Sequence, residues 1–174
     1  MQAGILEGKD LDNFAMAVKN IANLKITIDE KSGWNLEKII EVTTKQHREG
    51  NCDILFVDYL QQVRVRGSDF KHEQVSAVSD AMKKLSRDLN IPVIGLAQIN
   101  RESEKNNNNE MPRLSNLKDS GSLEQDADVV MILHKQALGD LKIDLGVAKN
   151  RHGATGTICL NHIAKFNAYE ENLG

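Results

Sequence analysis

The sequence predicts an α/β fold: a mostly parallel sheet flanked by helices and closed by an antiparallel hairpin. Three observations predict it. The stretch Asn51 to Gln62, NCDILFVDYLQQ, holds a short apolar run, Ile54 to Val57, of the kind buried on both faces in parallel sheets. A long helical stripe follows, then a second apolar run after Ile91-Pro92, so strand, helix and strand alternate at crossover spacing with helices expected on both faces. Towards the carboxyl end, two strand-like runs flank the loop NRHGATG, which reads as a hairpin.

Taken in order, Asp10 can cap a first helix on which Leu11, Phe14, Ala15, Val18, Ile21 and Ala22 fall on one face. Lys25 to Ile28 alternates like a short strand. After a turn at Ser32-Gly33, Asn35 caps a second helix whose Leu36, Ile39, Ile40 and Thr43 face inward. That helix delivers the chain to the Ile54 to Val57 strand, which ends in Asp58. A third helix, from about His72 to Leu89, carries Val75, Val78, Met82, Leu85 and Leu89 as a continuous core stripe and stops at Asn90. The next strand, Val93 to Ala97, ends at Gln98.

From Ile99 to Ser120 the chain is polar, with NRESEKNNNNEMPR at its heart, and reads as a surface loop. Ser122 then caps a short acidic helix, SLEQDA. Val129 to Leu133 is a further strand, Lys142 to Lys149 and Thr157 to Ile163 form the hairpin, and AKFNAYEENLG reads as a loose tail. No internal repeat or domain boundary interrupts residues 1–174, which read as a single domain.

At 174 residues the chain can bury a real core. A net charge of -3 gives no global basic footprint, so any nucleic-acid contact must be local or belong to an assembly. Cys52 and Cys159 sit in or beside apolar runs without metal-ligand spacing, and the five histidines show none either. They predict reduced thiols and no zinc site. No basic segment leads into an apolar stretch at the start, and no apolar run reaches spanning length, which predicts a soluble, cytoplasmic protein without a membrane partner.

Asp58 stands at the carboxyl end of its strand, the edge where open α/β sheets bind ligands, and could hold Mg²⁺ through water beside a nucleotide phosphate. It could equally be an acidic residue that closes a strand. Gln98 offers a neutral amide at the end of a neighbouring strand, able to bond a γ-phosphate and lose it on hydrolysis; taken in isolation it reads rather as a strand-end glutamine satisfied by backbone. Gly121 lets backbone approach a phosphate closely, with Ser120 and Ser122 as donors and Lys118 as the charge. Arg151 can offer a fork to a phosphoryl group, with Lys149 beside it, or the two can be the basic tip of a hairpin exposed to water.

Four motifs in one order carry a resemblance: ILFVDYLQQV, NIPVIGLAQINR, LKDSGSLEQDAD and KNRHG. Together they resemble the C-terminal motor domain of DnaB-type replicative DNA helicases, a RecA-like fold, over nearly the whole chain. The resemblance implies that Asp58 is the Mg²⁺ position of a Walker B strand and that Gln98 is a phosphate sensor. It implies that Lys118, Asp119, Ser120 and Gly121 belong to a loop gripping single-stranded DNA. Lys118 and Asp119 stand where the family often has arginine and glutamate, which keeps the charge signs but loses a planar fork. Lys149 and Arg151 would act in trans on the neighbouring subunit's ATP. The implied setting is a homo-hexameric, ATP- and Mg-dependent ring moving 5′ to 3′ in a bacterial or phage-infected cell, with a primase and a helicase loader as possible partners.

One part of the family pattern is missing. No Gly-rich loop ending in Gly-Lys-Ser/Thr occurs in the sequence, nor an upstream strand ending in a catalytic glutamate. The expectation is therefore a carboxyl portion of the motor that is inactive alone. The absent phosphate-loop strand would lie between the Gln98 strand and the Val129 to Leu133 strand, leaving two unpaired edges and an oligomeric or poorly soluble product. The alternative is a degenerate, non-catalytic subunit that binds and modulates an intact helicase ring. A different RecA-like ATPase would have to match LKDSGSLEQDAD by chance.

Overall fold

The computed structural model describes residues 8–30, 33–68, 70–99, 111–112, 121–135 and 141–171. The chain divides into two compact units, Met1–Ser32 and Gly33–Gly174.

In the first unit, α1 spans Lys9–Ala22. Its start is set by Gly8, whose φ of 54° suits glycine, and no side chain caps it. Asp10 is not the cap that the sequence suggested. It lies inside the first turn with Asp12, where a carboxylate still meets the positive end of the helix dipole. The apolar face forms as expected but remains open, with Phe14 55% and Ile21 62% exposed. Lys25 to Ile28 is not a strand. Alternation alone cannot hold an extended segment that pairs with no described strand, and Ile26 and Ile28 stay exposed.

The second unit begins with α2, Leu36–Arg48, and here the expected cap is present: the Lys38 amide donates to Asn35 Oδ1 at 2.9 Å. Leu36 and Thr43 are buried, and Ile39 and Ile40 pack against the core cluster that Leu36 joins. Substituting Asn35→Ala is expected to cost about 1 kcal/mol, read as a lower urea midpoint at unchanged slope. An unchanged midpoint would deny the cap its role.

Strand β1, Leu55–Val57, pairs in parallel with β2, Val93–Gly95, in the register Leu55 to Val93 and Val57 to Gly95. Between them run a 3₁₀ turn, Leu60–Gln62, and α3, Lys71–Leu89. The α3 stripe is buried as the spacing predicts, at Val75, Val78, Met82 and Leu85, and Asn90 ends the helix with a left-handed φ of 52°. Leu36, Val57, Leu60, Val63, Val78, Met82 and Leu85 make one core. Gly95 is required there, because a Cβ at that position would come within 2.7 Å of Leu60 Cδ1.

The β1 and β2 strands are covered on one face only. Phe56 is 60% exposed and its partner Ile94 is exposed too, so the expectation of burial on both faces fails. The physical reason is that α2 and α3 supply the apolar partners of Val57 on one face, whereas Phe56, the next residue along the strand, points to the opposite face.

A short helix α4, Gly121–Asp126, docks on α3 through Leu123 and through Ser79, whose hydroxyl donates to Asp126 Oδ2 at 2.7 Å. Ser122 therefore lies within the first turn instead of capping it, since the helix already starts at Gly121. The remaining strands form one antiparallel sheet in the order β3 (Val129–His134), β4 (Lys142–Asn150), β5 (Gly156–Ile163), β6 (Ala168–Glu171). The hairpin of β4 and β5 is the expected one. The segment read as a loose tail instead contributes β6, held by pairing such as His162 with Tyr169. Among the described residues, neither β1 nor β2 pairs with this second sheet.

A bulge interrupts the pairing of β3 with β4: Met131 faces Val147, but Val130 faces Lys149, leaving Ala148 extra. Cross-strand partners share a face of the sheet, so the bulge moves Lys149 off the exposed Met131 side onto the side of Val130 and buried Ile132.

Candidate functional site

The parallel register places two of the candidate residues together at one edge. Asp58 follows directly on β1 and Gln98 lies three residues beyond the end of β2. The two segments stay zipped past the strands, the Leu96 amide donating to the Val57 carbonyl at 2.9 Å and the Leu60 amide to the Leu96 carbonyl at 2.9 Å. The peptide bond joining Asp58 to Tyr59 is cis. Asp58 is exposed, and its carboxylate bonds no described residue.

Gln61 fixes the Gln98 backbone. Its amide nitrogen donates to the Gln98 carbonyl at 3.2 Å, and the Gln98 amide donates to Gln61 Oε1 at 3.3 Å. This reciprocal pair uses the main chain of Gln98 and leaves its side-chain amide unbonded among the described residues. An exposed strand-end amide held by its backbone is poised to meet a ligand oxygen. The glutamine pair after Tyr59 was visible in the sequence, but only the register across 37 residues assigns Gln61 this part.

The basic pair occupies a different place. Lys149 reaches from β4 to the carboxyl end of α4, where its ammonium donates to the carbonyls of Glu124 and, at 3.2 Å, of Gln125. Arg151 lies just past β4; its amide donates to the Asp128 carbonyl at 2.9 Å, Nη2 donates to the Gln125 carbonyl, and Nη1 lies 3.4 Å from Asp128 Oδ1. The last carbonyls of a helix lack partners within it and carry partial negative charge, so two cations are well matched there. Asn150 braces the hairpin tip by accepting from the His152 amide at 3.2 Å and donating to the Ala154 carbonyl at 3.3 Å. Gly153 belongs in that turn because a Cβ would meet Asn150 Nδ2 at 2.6 Å.

Asp128 links this pair to the core. Lys83 on α3 donates to its Oδ1 at 2.6 Å and also contacts Oδ2. The hydrogen bond from Lys83 holds the Asp128 carboxyl below its ordinary range, against some desolvation, and the charges of Lys83, Arg151 and His152 act in the same direction. A folded value below the unfolded one means that this anion stabilises the fold above the ordinary aspartate range, and that the contribution is lost as pH falls through the depressed value. Titration of the Asp128 carboxyl by NMR should accordingly give a midpoint below that of an unfolded-chain aspartate. A midpoint at or above it would contradict the contact.

Of the four candidate DNA-facing residues, Lys118, Asp119 and Ser120 lie outside the described residues, and Gly121 is the first residue of α4. Asp58 and Gln98 share one sheet edge, Lys149 and Arg151 share the end of α4, and Gly121 begins that same helix. Lys83 and Asp128 were not singled out from the sequence, because their partnership spans 45 residues and neither has a local signal.

A carboxylate directly after β1 and an amide three residues past β2 stand at the carboxyl edge of a parallel pair, the edge at which α/β domains with open sheets bind ligands, and that is the class of domain the fold defines. More narrowly, the chain belongs to the DnaB-like helicase C-terminal domain family, whose family model matches residues 1–171. It is 30% identical to the replicative DNA helicase DnaC of Bacillus subtilis, over 97% of this chain and 39% of that protein. It is 31% identical to the replicative DNA helicase DnaB of Helicobacter pylori, over 98% of this chain and 43% of that protein. The chain thus spans about two-fifths of the relatives it matches. Among solved structures, one described as an ATPase domain superposes with a TM-score of 0.86 at 30% identity, covering 95% of this chain and 61% of that one. A DnaB-like replicative helicase, described with its interactions with primase, gives the same TM-score at 30% identity, over 97% of this chain and 43% of that one. The fold is therefore the RecA-like fold of these ATPase domains. Among the described residues, no helix is long and apolar enough to cross a membrane.

Proposed function

We propose that this chain is the carboxyl part of the motor of an ATP-dependent replicative DNA helicase, working in a homo-hexameric ring that moves 5′ to 3′ on single-stranded DNA. The observation that carries the reading is the shared edge of Asp58 and Gln98 on adjacent parallel strands. Asp58 would hold Mg²⁺ through water; an exposed carboxylate, unpaired among the described residues, is a hard oxygen ligand of the kind that ion takes together with water and phosphate. The ion would neutralise charge on the phosphates of ATP. Gln98, its backbone held by Gln61, would offer its amide to the γ-phosphate and release it after hydrolysis.

Lys149 and Arg151 would serve the ATP of the adjacent subunit, where a guanidinium fork suits the charge of a phosphoryl group in transfer. Lys118, Asp119, Ser120 and Gly121 would contact the DNA backbone without regard to sequence, as translocation requires. Primase and a loader are partners in this reading, set in the cytoplasm of a bacterial or phage-infected cell. The similarity of 97% of the chain to a DnaB-like helicase with described primase interactions supports the first of these.

The test is calorimetry with magnesium-ATP on the chain alone and on the chain mixed with a polypeptide carrying a helicase phosphate loop. Binding and turnover in the mixture only is the expected result. Binding by the chain alone would mean that its own residues grip the phosphates, and binding by neither would favour a non-catalytic subunit that modulates an intact ring.

A further inference from the structure

We propose that Asp128 is a positioning residue for Arg151, fixing where its guanidinium stands by tying it to the core helix α3. The inference rests on the reading of Arg151 as a group that meets a nucleotide phosphate of a neighbouring subunit. Asp128 holds residue 151 at both ends: its carbonyl accepts from the Arg151 amide at 2.9 Å, and its carboxylate lies 3.4 Å from Nη1. The Gln125 carbonyl takes Nη2. Two of the fork's five donors are thereby oriented, while Nε bonds no described residue and the side chain is 42% exposed. A guanidinium in that state is aimed without being used up.

The anchor for Asp128 lies in the packed interior of the unit. Lys83, with its side chain only 21% exposed, bonds both carboxylate oxygens. One turn earlier on α3, Ser79 is buried and takes Asp126 at 2.7 Å. Residues 79 and 83 follow the same helix face as buried Val75 and Met82, so the end of α4 is fixed by the element that makes the core. A long side chain at a hairpin tip would otherwise sample many rotamers, and an arginine that must reach across a boundary loses that freedom on engagement. The Asp128 carboxylate, already paired with Lys83, removes part of that freedom beforehand.

Two readouts test this. In the first, NMR relaxation of the Arg151 Nε–H group is measured in the 174-residue chain. Asp128→Asn should make that group as mobile as a solvent-exposed arginine, Lys83→Met should do so in part, and Asp128→Glu should retain most of the order. Unchanged Arg151 order in Asp128→Asn, with the α3 amide signals intact, overturns the proposal. In the second, ATP turnover is measured in the assembly with the phosphate-loop polypeptide. Asp128→Asn should lower kcat about 10-fold with KM held within about twofold, and should cost nothing further in an Arg151→Ala background. Losses that multiply would show Asp128 acting independently of Arg151 and would overturn the proposal as well. If Arg151→Ala itself leaves turnover unchanged, the functional reading of Arg151 is what fails, and the relaxation measurement alone decides whether Asp128 orders it.

Discussion

If the proposed role of Arg151 holds, Arg151→Ala is expected to lower ATP turnover by the assembly with the phosphate-loop polypeptide about 10³-fold, with nucleotide binding nearly unchanged. A guanidinium that meets the transferring phosphoryl group stabilises charge that develops only in the transition state, so its loss falls on kcat. Arg151→Lys should recover little, because a lysine cannot bond the Gln125 carbonyl and Asp128 while presenting a planar fork. The fold should tolerate either change. Lys149 still satisfies the carbonyls at the end of α4, and the melting transition should shift by no more than about 1 kcal/mol allows. Mixing Arg151→Ala subunits with intact ones separates action in cis from action in trans, since only the latter disables sites in intact subunits. A loss in turnover under about 10-fold would remove Arg151 from the proposed chemistry.

The largest expected effect on stability comes from Val78→Asp. Val78 is 0% exposed and lies among Leu36, Val57, Leu60, Met82 and Leu85. A carboxylate there finds no cation in the apolar cluster, and an uncompensated buried charge costs about 3–5 kcal/mol. Against a total of roughly 5–15 kcal/mol for a domain, that should remove most of the cooperative transition in urea. Val78→Ala deletes only two methyl groups and should leave a lowered but cooperative midpoint. A Val78→Asp chain with the parent's midpoint would mean that α3 does not sit on β1 and β2.

What could be read in advance followed the range of the interactions. Helices α2 and α3 were legible because their apolar residues recur at helical spacing, and Asn35 and Asn90 mark their ends by local backbone chemistry. Asp58 and Gln98 were legible as strand ends because each closes a short apolar run. The DnaB-type resemblance rested on four ordered motifs, and the family match over residues 1–171 agrees with it. Where a partner was needed, local pattern misled. Lys25 to Ile28 alternates without a strand beside it, Phe56 sits in an apolar run yet faces solvent, and Ala168–Glu171 looks like a tail yet pairs with β5. The contact of Lys83 with Asp128 leaves no trace in either residue's neighbours, so the surroundings of Arg151 came only with the fold.

The extra residue at Ala148 limits how this region can vary. Which way Lys149 points is decided there by an odd or even count of residues, with side-chain chemistry playing no part. Exchanging Ala148 for another small residue leaves the count intact, whereas deleting it turns every later β4 side chain to the opposite face. Among relatives of this chain, a one-residue gap at this point is therefore a stronger sign that the Lys149 contact with the end of α4 is lost than a substitution in the same segment.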